Sequence, residues 1–319
     1  MVTAKRLAQR LLRHSTAMVR DRRWTHPRAA EILQALQHSN PPVFDMALFN
    51  FTIDFELLWG NGNLGGHGHT TGQRLQAARA QRENFAPFVR MLEELQFPIS
   101  WAVVGKLIEP EWPLTPGQRF QPEWHAADWY ALPNAPELQP EDWQGGPFLD
   151  AIRNAAAGHE VLSHGYAHID YGDPATTEEI ARTDMQLSKR LLEEAGFSVS
   201  GFVFPCNHVG HAGLLPSLGY RIARGGSPEW RVENTPVPMT PVGFCINPGF
   251  FSVSDLRRII DEGIARRSFV HPWMHLVECS LTQRDIDHFY RPLFEYILMQ
   301  QDKGAIRNVS FTAIADHLS

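Results

Sequence analysis

Short apolar runs that stop on titratable or hydrogen-bonding side chains recur along this chain, and that recurrence limits the folds open to it more than any other feature. Met46-Ala47-Leu48-Phe49-Asn50-Phe51-Thr52-Ile53 closes on Asp54 and Glu56, and Val161-Leu162-Ser163 feeds into His164 and His168. Further on, Phe202-Val203-Phe204-Pro205 delivers Cys206 and Asn207, and Ser268-Phe269-Val270 ends in His271. Runs this short, bounded by polar residues, read as buried strands. Helical patterns lie between them, over residues 83–94, 176–195, 254–265 and 282–299, with Thr176 or Thr177 and Ser252 or Ser254 as N-caps. Strand, helix, strand is the repeating unit of a parallel α/β fold. In a closed parallel sheet all strand C-termini open on one face, so polar ends far apart in sequence converge there.

The first of these ends carries two carboxylates. In an extended strand side chains i and i+2 point the same way, so Asp54 and Glu56 face one site. Two like charges that close repel unless a cation lies beside them, one carboxylate then binding it while the other serves as a base. Two solvated strand-end acids are the alternative. The second end supplies His164 and His168, whose i, i+4 spacing sets two imidazoles on one helical face with Cβ atoms about 5–6 Å apart. Such a pair can share a metal, and a catalytic zinc typically has three protein ligands plus a water, which leaves room for a carboxylate. With 15 His in the chain, on the order of one such pair arises by chance, and His271/His275 is a second. The first is distinguished by the Gly158-His159-Glu160-Val161 turn and strand leading into it, which place His164 where barrel enzymes keep their chemistry.

Taken together, these runs resemble the motifs of the polysaccharide deacetylases, the hydrolases of carbohydrate esterase family four. His164-Gly165-Tyr166-Ala167-His168 is similar to their second motif, His-[Ser/Thr]-x-x-His, with Gly165 at the variable position. Thr52-Ile53-Asp54-Phe55-Glu56 looks like the first motif in the Asp-x-Glu variant of sugar- and purine-acting branches, so that Glu56 must reach the metal. Phe204-Pro205-Cys206-Asn207 resembles a third motif reading Phe-Pro-Arg-Asn. Here Cys206 stands in place of an arginine that would orient the base, and a thiol lacks that fork of donors. His271-Pro272-Trp273-Met274-His275 resembles the fifth motif, where a strand-end histidine is the acid.

The resemblance covers roughly residues 45–318 and implies a distorted (β/α)7 barrel. It also implies a divalent ion, zinc by expectation, on Glu56, His164 and His168, with Asp54 as base and His271, ahead of His275, as acid. A backbone N–H near Asn207 would meet the oxyanion, and Trp59, Trp273, Tyr166 and Asn207 are the expected substrate contacts. The implied activity is hydrolysis of an N-acyl amide, foremost N-acetyl, on an amino sugar of a surface glycan or its precursor. Two other classes stay open. One is a metal-independent purine-ring amidohydrolase, whose branch lacks the second histidine of the pair. The other is an inactive glycan-binding protein, which Cys206 suggests. Cys206 as a nucleophile would need a dedicated base and oxyanion loop that cannot be placed in the sequence.

The chain of 319 residues, 43% hydrophobic, is long enough for one domain of barrel size or two ordinary ones. Residues 1–40 read as a basic helical extension and 41–319 as the barrel, because Asn40-Pro41-Pro42 forces extended backbone. Lys5, Arg6, Arg10, Arg13, Arg20, Arg22 and Arg23 interrupt any apolar stretch that could serve as an export signal. The extension is expected to pack on the barrel, with peripheral membrane contact through residues 1–38 as the sharper alternative. No apolar run is long enough for a transmembrane helix, and a net charge of -6 argues against nucleic acid as a partner. Cys206, Cys245 and Cys279 are too few and too scattered for a disulfide framework, so a reducing, cytoplasmic location is expected. Residues 61–72, with His67 and His69, read as a mobile loop. Residues 106–147 read as a lid, in which Trp112, Trp124, Trp129, Tyr130 and Trp143 either offer faces to sugar rings or anchor the loop.

Overall fold

The computed structural model describes residues 27–38, 41–62, 71–108, 139–276 and 282–318. Its strands, in chain order, are β1 (Ala47–Phe49), β2 (Thr52–Phe55), β3 (Ser100–Val103), β4 (Glu160–Ser163), β5 (Gly201–Val203), β6 (Ile222–Arg224), β7 (Met239–Thr240), β8 (Phe244–Cys245), β9 (Phe269–Val270), β10 (Pro272–Met274) and β11 (Ile306–Asn308). All pairings among them are parallel, in the order β7-β6-β5-β4-β3-β2-β10-β8, with β1 between β11 and β9. Pro241-Val242-Gly243 joins β7 to β8, the two outermost strands. The sheet thus curls round on itself as a distorted barrel, the class implied by the motifs. The helices are α1 (Pro27–His38), α2 (Leu58–Gly62), α3 (Thr71–Leu95), α4 (Gly146–Arg153), α5 (Glu178–Glu194), α6 (Val253–Arg266) and α7 (Arg291–Asp302).

Alternation along the strands sorts their side chains into two cores. Phe49, Phe51, Ile53 and Phe55, with Trp101, Val103, Val161, Phe202, Val270 and Met274, pack in one cluster with Phe88 and Leu92 of α3, Met185 of α5, Ile260 of α6 and Phe294 of α7. Side chains of the opposite parity, Leu48, Ala102, Leu162, Val203, Ile222 and Phe269, meet Phe311 and Ile314 in the second cluster, inside the curl. Each fully buried Leu or Phe contributes about 1.5–3 kcal/mol. The inward parity that begins at Leu48 continues through Asn50, Thr52, Asp54 and Glu56. The one that begins at Phe269 continues through His271, Trp273 and His275. The functional groups are therefore the upper storeys of the barrel interior.

Several elements differ from the sequence expectation for identifiable reasons. The run 46–56 is broken at Asn50 and Phe51, where Asn50 Nδ2 donates to Ser100 Oγ and to the Val309 carbonyl. Helix α3 extends back to Thr71, so that the expected 61–72 loop ends earlier. Its first turns are polar and carry little apolar period, yet Leu75 and Ala78 are buried and Gln81 Oε1 accepts the Leu57 N–H. The expected helix 282–299 opens with a capping box of Thr282 and Asp285, passes through a π-helical turn at Ile286–Tyr290, and becomes α-helical at Arg291. Pro292 has no N–H to bond back, which breaks the regular ladder there. The caps of α5 and α6 are Thr177 and Ser252.

Helix α1 lays Ala29, Ile32, Leu33 and Leu36 on the large core, and Arg266 Nη2 donates to the Gln37 carbonyl. The arginines of residues 1–26, His67, His69, Trp112, Trp124, Trp129, Tyr130 and Cys279 lie outside the described residues. Trp143 is buried, so it anchors rather than presents a face. No helix among the described residues is long and apolar enough to cross a membrane.

Candidate active site

The inward side chains of β2 define three levels. At the lowest, Thr52 Oγ1 lies 3.1 Å from His271 Nε2 and accepts from Arg224 Nη1 at 3.2 Å. At the middle level Asp54 accepts two hydrogen bonds from Arg224, 2.9 Å from Nη1 to Oδ1 and 2.5 Å from Nη2 to Oδ2. The guanidinium lies 4.8 Å from the centre of the Trp273 ring, and its Nη2 also reaches Asn207 Oδ1 at 3.4 Å. At the mouth, Glu56 Oε1 has three imidazoles around it: His164 Nε2 at 3.0 Å, His168 Nε2 at 3.2 Å and His275 Nε2 at 3.1 Å. His275 Nε2 is also 3.8 Å from Asp54 Oδ2.

Burial alone would raise both carboxyl pKa values. Arg224 first, then His164, outweigh it at Asp54 and hold that carboxyl below its ordinary value. At Glu56 the imidazoles of His168 and His275 lead, and the carboxyl lies well below the usual range. Both acids are thus kept ionised although almost wholly buried.

The chemistry of the donor set fits a divalent cation. His164 Nδ1 lies 2.8 Å from the Val203 carbonyl, which can only accept. In the neutral ring Nδ1 therefore carries the proton and Nε2 turns a lone pair towards a carboxylate oxygen 3.0 Å away. Two acceptors that close need a proton or a cation between or beside them, and a backbone carbonyl on the far nitrogen is the usual orienting partner of a metal-bound histidine. Ligand atoms of Glu56, His164 and His168 lie within 4.8 Å of one another, as do those of Asp54, Glu56 and His275. Gly60 makes room for the carboxylate, since a Cβ there would sit 1.4 Å from Glu56 Oε2.

The two histidines converge without the helix expected from their spacing. Residues 164–170 form an irregular loop in which Gly165 and His168 have positive φ, 73° and 52°. Asp184, fully buried on α5, replaces helical hydrogen bonds by accepting the N–H of Tyr166 at 2.6 Å, the N–H of Ala167 at 3.0 Å and the Tyr171 hydroxyl at 2.5 Å. Burial raises the Asp184 carboxyl to about 6 against these hydrogen bonds. A side chain at Gly165 would meet Asp184 Oδ1 at 2.9 Å, so this motif position needs glycine both for its φ and for this approach.

The other expected site residues are placed unevenly. His271 is not at the strand end: β10 continues past it to Met274, because Pro272 removes one ladder donor without ending the strand. The strand-end histidine is His275. His271, 3% exposed, is packed against Phe269 and Phe311, and burial first, with the Arg224 charge, pushes it down to about 3. Trp59 is fully buried, and its Nε1 donates to the Trp143 carbonyl. Tyr166 is buried beneath Lys106, whose Nζ is 4.8 Å from the ring centre. Trp273 lines the interior between Arg224 and His275. The backbone N–H of Asn207 is used within its own turn, donating to the Phe204 carbonyl at 3.1 Å. Cys206 is exposed, yet desolvation of its thiol first, then the charges of Glu56 and Asp170, push that thiol up to about 12, so it is no nucleophile at neutral pH. Sequence reasoning missed Arg224 and Asp184. Arg224 carries a signal of a kind, as a charged residue at the end of the apolar run Ile222-Ala223.

No family model matches the sequence, and no curated protein matches it. Solved structures do. A polysaccharide deacetylase from Mycobacterium smegmatis aligns with a TM-score of 0.56 at 16% identity, over 88% of this chain and 95% of that one. One from Pseudomonas aeruginosa PAO1 aligns with a TM-score of 0.54 at 16% identity, over 87% and 94%. A 4-alpha-glucanotransferase from Thermococcus litoralis reaches 0.52 at 12% identity, over 85% of this chain and 40% of that one. At such identities the likeness is one of fold, and it is the barrel that the motif resemblance implied. That a glucanotransferase shares it means that the reaction must be argued from the site.

Proposed function

We propose that this protein is a metal-dependent hydrolase that removes an N-acyl group, foremost N-acetyl, from an amino sugar of a glycan or its precursor. The observation that carries this reading is the confrontation of Glu56 Oε1 with the lone pair of His164 Nε2, beside a second, ionised carboxylate at Asp54. Glu56, His164 and His168 would hold the ion, two nitrogens and one oxygen being a common catalytic zinc set. A divalent ion in that place supplies a water of lowered pKa and polarises the acyl carbonyl.

The chain's own residues account for the rest. Asp54, held low, is a weak base by itself, which suits proton removal from an acidified water. Arg224 keeps it ionised and oriented. The departing amine needs a proton, and His275 is the donor in this reading: it stands at the strand end, its side chain is 19% exposed, and its Nε2 lies 3.1 Å from Glu56 Oε1 and 3.8 Å from Asp54 Oδ2. His271, neutral at working pH, has no proton to give. Trp273 lies beside both His275 and Arg224, where its ring can meet a sugar face.

The test is release of free amine from N-acetylglucosamine oligomers and from other N-acylated amino sugars by protein as purified, stripped with a chelator, and reloaded with Zn2+. Amine release that vanishes on stripping and returns on reloading supports the reading. Turnover of a purine-ring amide that survives stripping would replace it, and saturable glycan binding without release would leave a binding protein.

A further inference from the structure

We propose that the arginine-rich segment 1–26 and the Phe250 loop dock this protein on an anionic lipid bilayer, with the mouth of the barrel turned towards the membrane. The docking does not depend on which reaction the site performs. It follows from the direction of α1. Helix α6 leaves the mouth side, after the loop that follows β8, and runs back to deliver β9 at the floor of the barrel. Helix α1 lies along it. Arg28, in the first turn of α1, sets its guanidinium 4.1 Å from the centre of the Phe250 ring, in the loop between β8 and α6. Gln37, near the other end of α1, accepts from Arg266 in the last turn of α6. The two helices therefore run in the same direction, and residue 26 joins α1 at the mouth. The loop is close to the site, since Cys245 pairs with Trp273 in the sheet and the Ile246 N–H donates to the Trp273 carbonyl, two residues before His275.

What enters there is strongly cationic. Residues 1–26 hold seven Lys or Arg and one acid, Asp21, whereas the rest of the chain holds 22 Lys or Arg and 34 Asp or Glu. The segment thus carries a charge of +6 against -12 for the remainder, an asymmetry that the net charge hides. Lys and Arg are drawn to an anionic leaflet within a Debye length of its surface. Leu7, Leu11, Leu12, Met18 and Val19 are interleaved with these charges. That mixture suits a lipid interface, which takes up both kinds of side chain, better than a soluble polyanion, which offers nothing to the leucines. Phe250 supplies the same pairing at the rim where the segment begins, an exposed aromatic ring with a guanidinium on its face. Among the described residues the other exposed large apolar side chains are Val43, leading into β1, and Met299, in the last turn of α7 before β11, both towards the floor. Cationic charge and an exposed aromatic ring coincide at the mouth.

The test is sedimentation of the full-length protein with vesicles of phosphatidylcholine alone and of phosphatidylcholine mixed with phosphatidylglycerol. Binding should require the phosphatidylglycerol and weaken as salt is raised. The triple variant Arg10→Glu, Arg13→Glu, Arg20→Glu should lose more than about 100-fold in affinity for the anionic vesicles. If it fails to fold, the same three positions changed to Gln decide, with a loss of about 10-fold or more. Phe250→Ser should cost about 3- to 10-fold, and Val43→Ser, at the floor, should bind as the wild type does. No binding, equal binding to both kinds of vesicle, arginine variants that bind as tightly as the wild type, or binding to heparin and to neither vesicle would each overturn the docking. A Phe250→Ser variant that binds as tightly as Val43→Ser would overturn its orientation. Should the wild type release amine from no N-acyl sugar, the reading of the site fails while the vesicle experiment still decides the docking.

Discussion

Glu56 is where the account is most exposed to single substitutions. Its one oxygen meets three imidazoles, so Glu56→Gln, which exchanges an anion for a neutral amide, should lower Zn2+ affinity by more than about 100-fold, beyond the loss typical of an outer partner. Competition with a chromophoric chelator measures it. His275 and His271 separate the acid from the core. His275→Ala should keep the protein folded, cost roughly 10²–10⁴ in kcat and remove the alkaline limb of the pH–rate profile. His271→Ala should keep that limb and instead lose about 1–3 kcal/mol of stability, because it leaves Thr52 Oγ1 without its imidazole partner and opens a gap against Phe269 and Phe311. A limb that disappears in His271→Ala alone would return the role to that residue. Asp54 and Glu56 were legible in the sequence because a period of two needs only local geometry. Arg224 was not, because its meaning lies in a carboxylate on a strand four places away in the sheet.

At the scale of elements, the loop 164–168 depends on α5. Asp184→Ala would strip the acceptor from two buried N–H groups and a tyrosine hydroxyl, at about 1–3 kcal/mol for each buried group left unmet. Urea unfolding should show the loss, and Zn2+ affinity should fall by about 10- to 100-fold as the histidines loosen. Unchanged affinity in a destabilised Asp184→Ala would mean that the loop keeps its shape without the carboxylate. The helical spacing of His164 and His168 brought the right residues together for the wrong reason, since an irregular loop with two positive φ values also makes i and i+4 neighbours. Helix starts at Thr177 and Ser252 were readable from capping chemistry. The polar first turns of α3 were hidden because they carry little apolar period, and the strand through Pro272 because the apolar run Ser268-Phe269-Val270 reads as ending at His271.

For the molecule as a whole, the buried His159 makes acid the weak side of its stability. Its Nδ1 accepts the Ile99 N–H, and burial, partly offset by Glu93, lowers its pKa from 6.5 to about 4. The folded state binds this proton less readily than the unfolded chain. Stability from this group is therefore complete above about pH 6.5 and is lost as pH falls through the window from 6.5 to about 4. Because His271 and Asp184 also change protonation on unfolding in this range, chemical denaturation across that window should show a proton uptake that His159→Gln lowers by about one, and an equal slope in both would remove His159 as a source. The barrel, with its inward parity ending in polar groups, was legible from apolar runs. How those groups pair across the interior was not, since parity gives a side and no partner. The central claim is that this interior ends in a metal centre at its mouth. Crystals of the protein grown with Zn2+ and measured above and below the zinc absorption edge test it most directly. The account predicts one anomalous peak about 2.0–2.2 Å from Glu56, His164 Nε2 and His168 Nε2, and a mouth without a peak, or a peak bound by other residues, would contradict it.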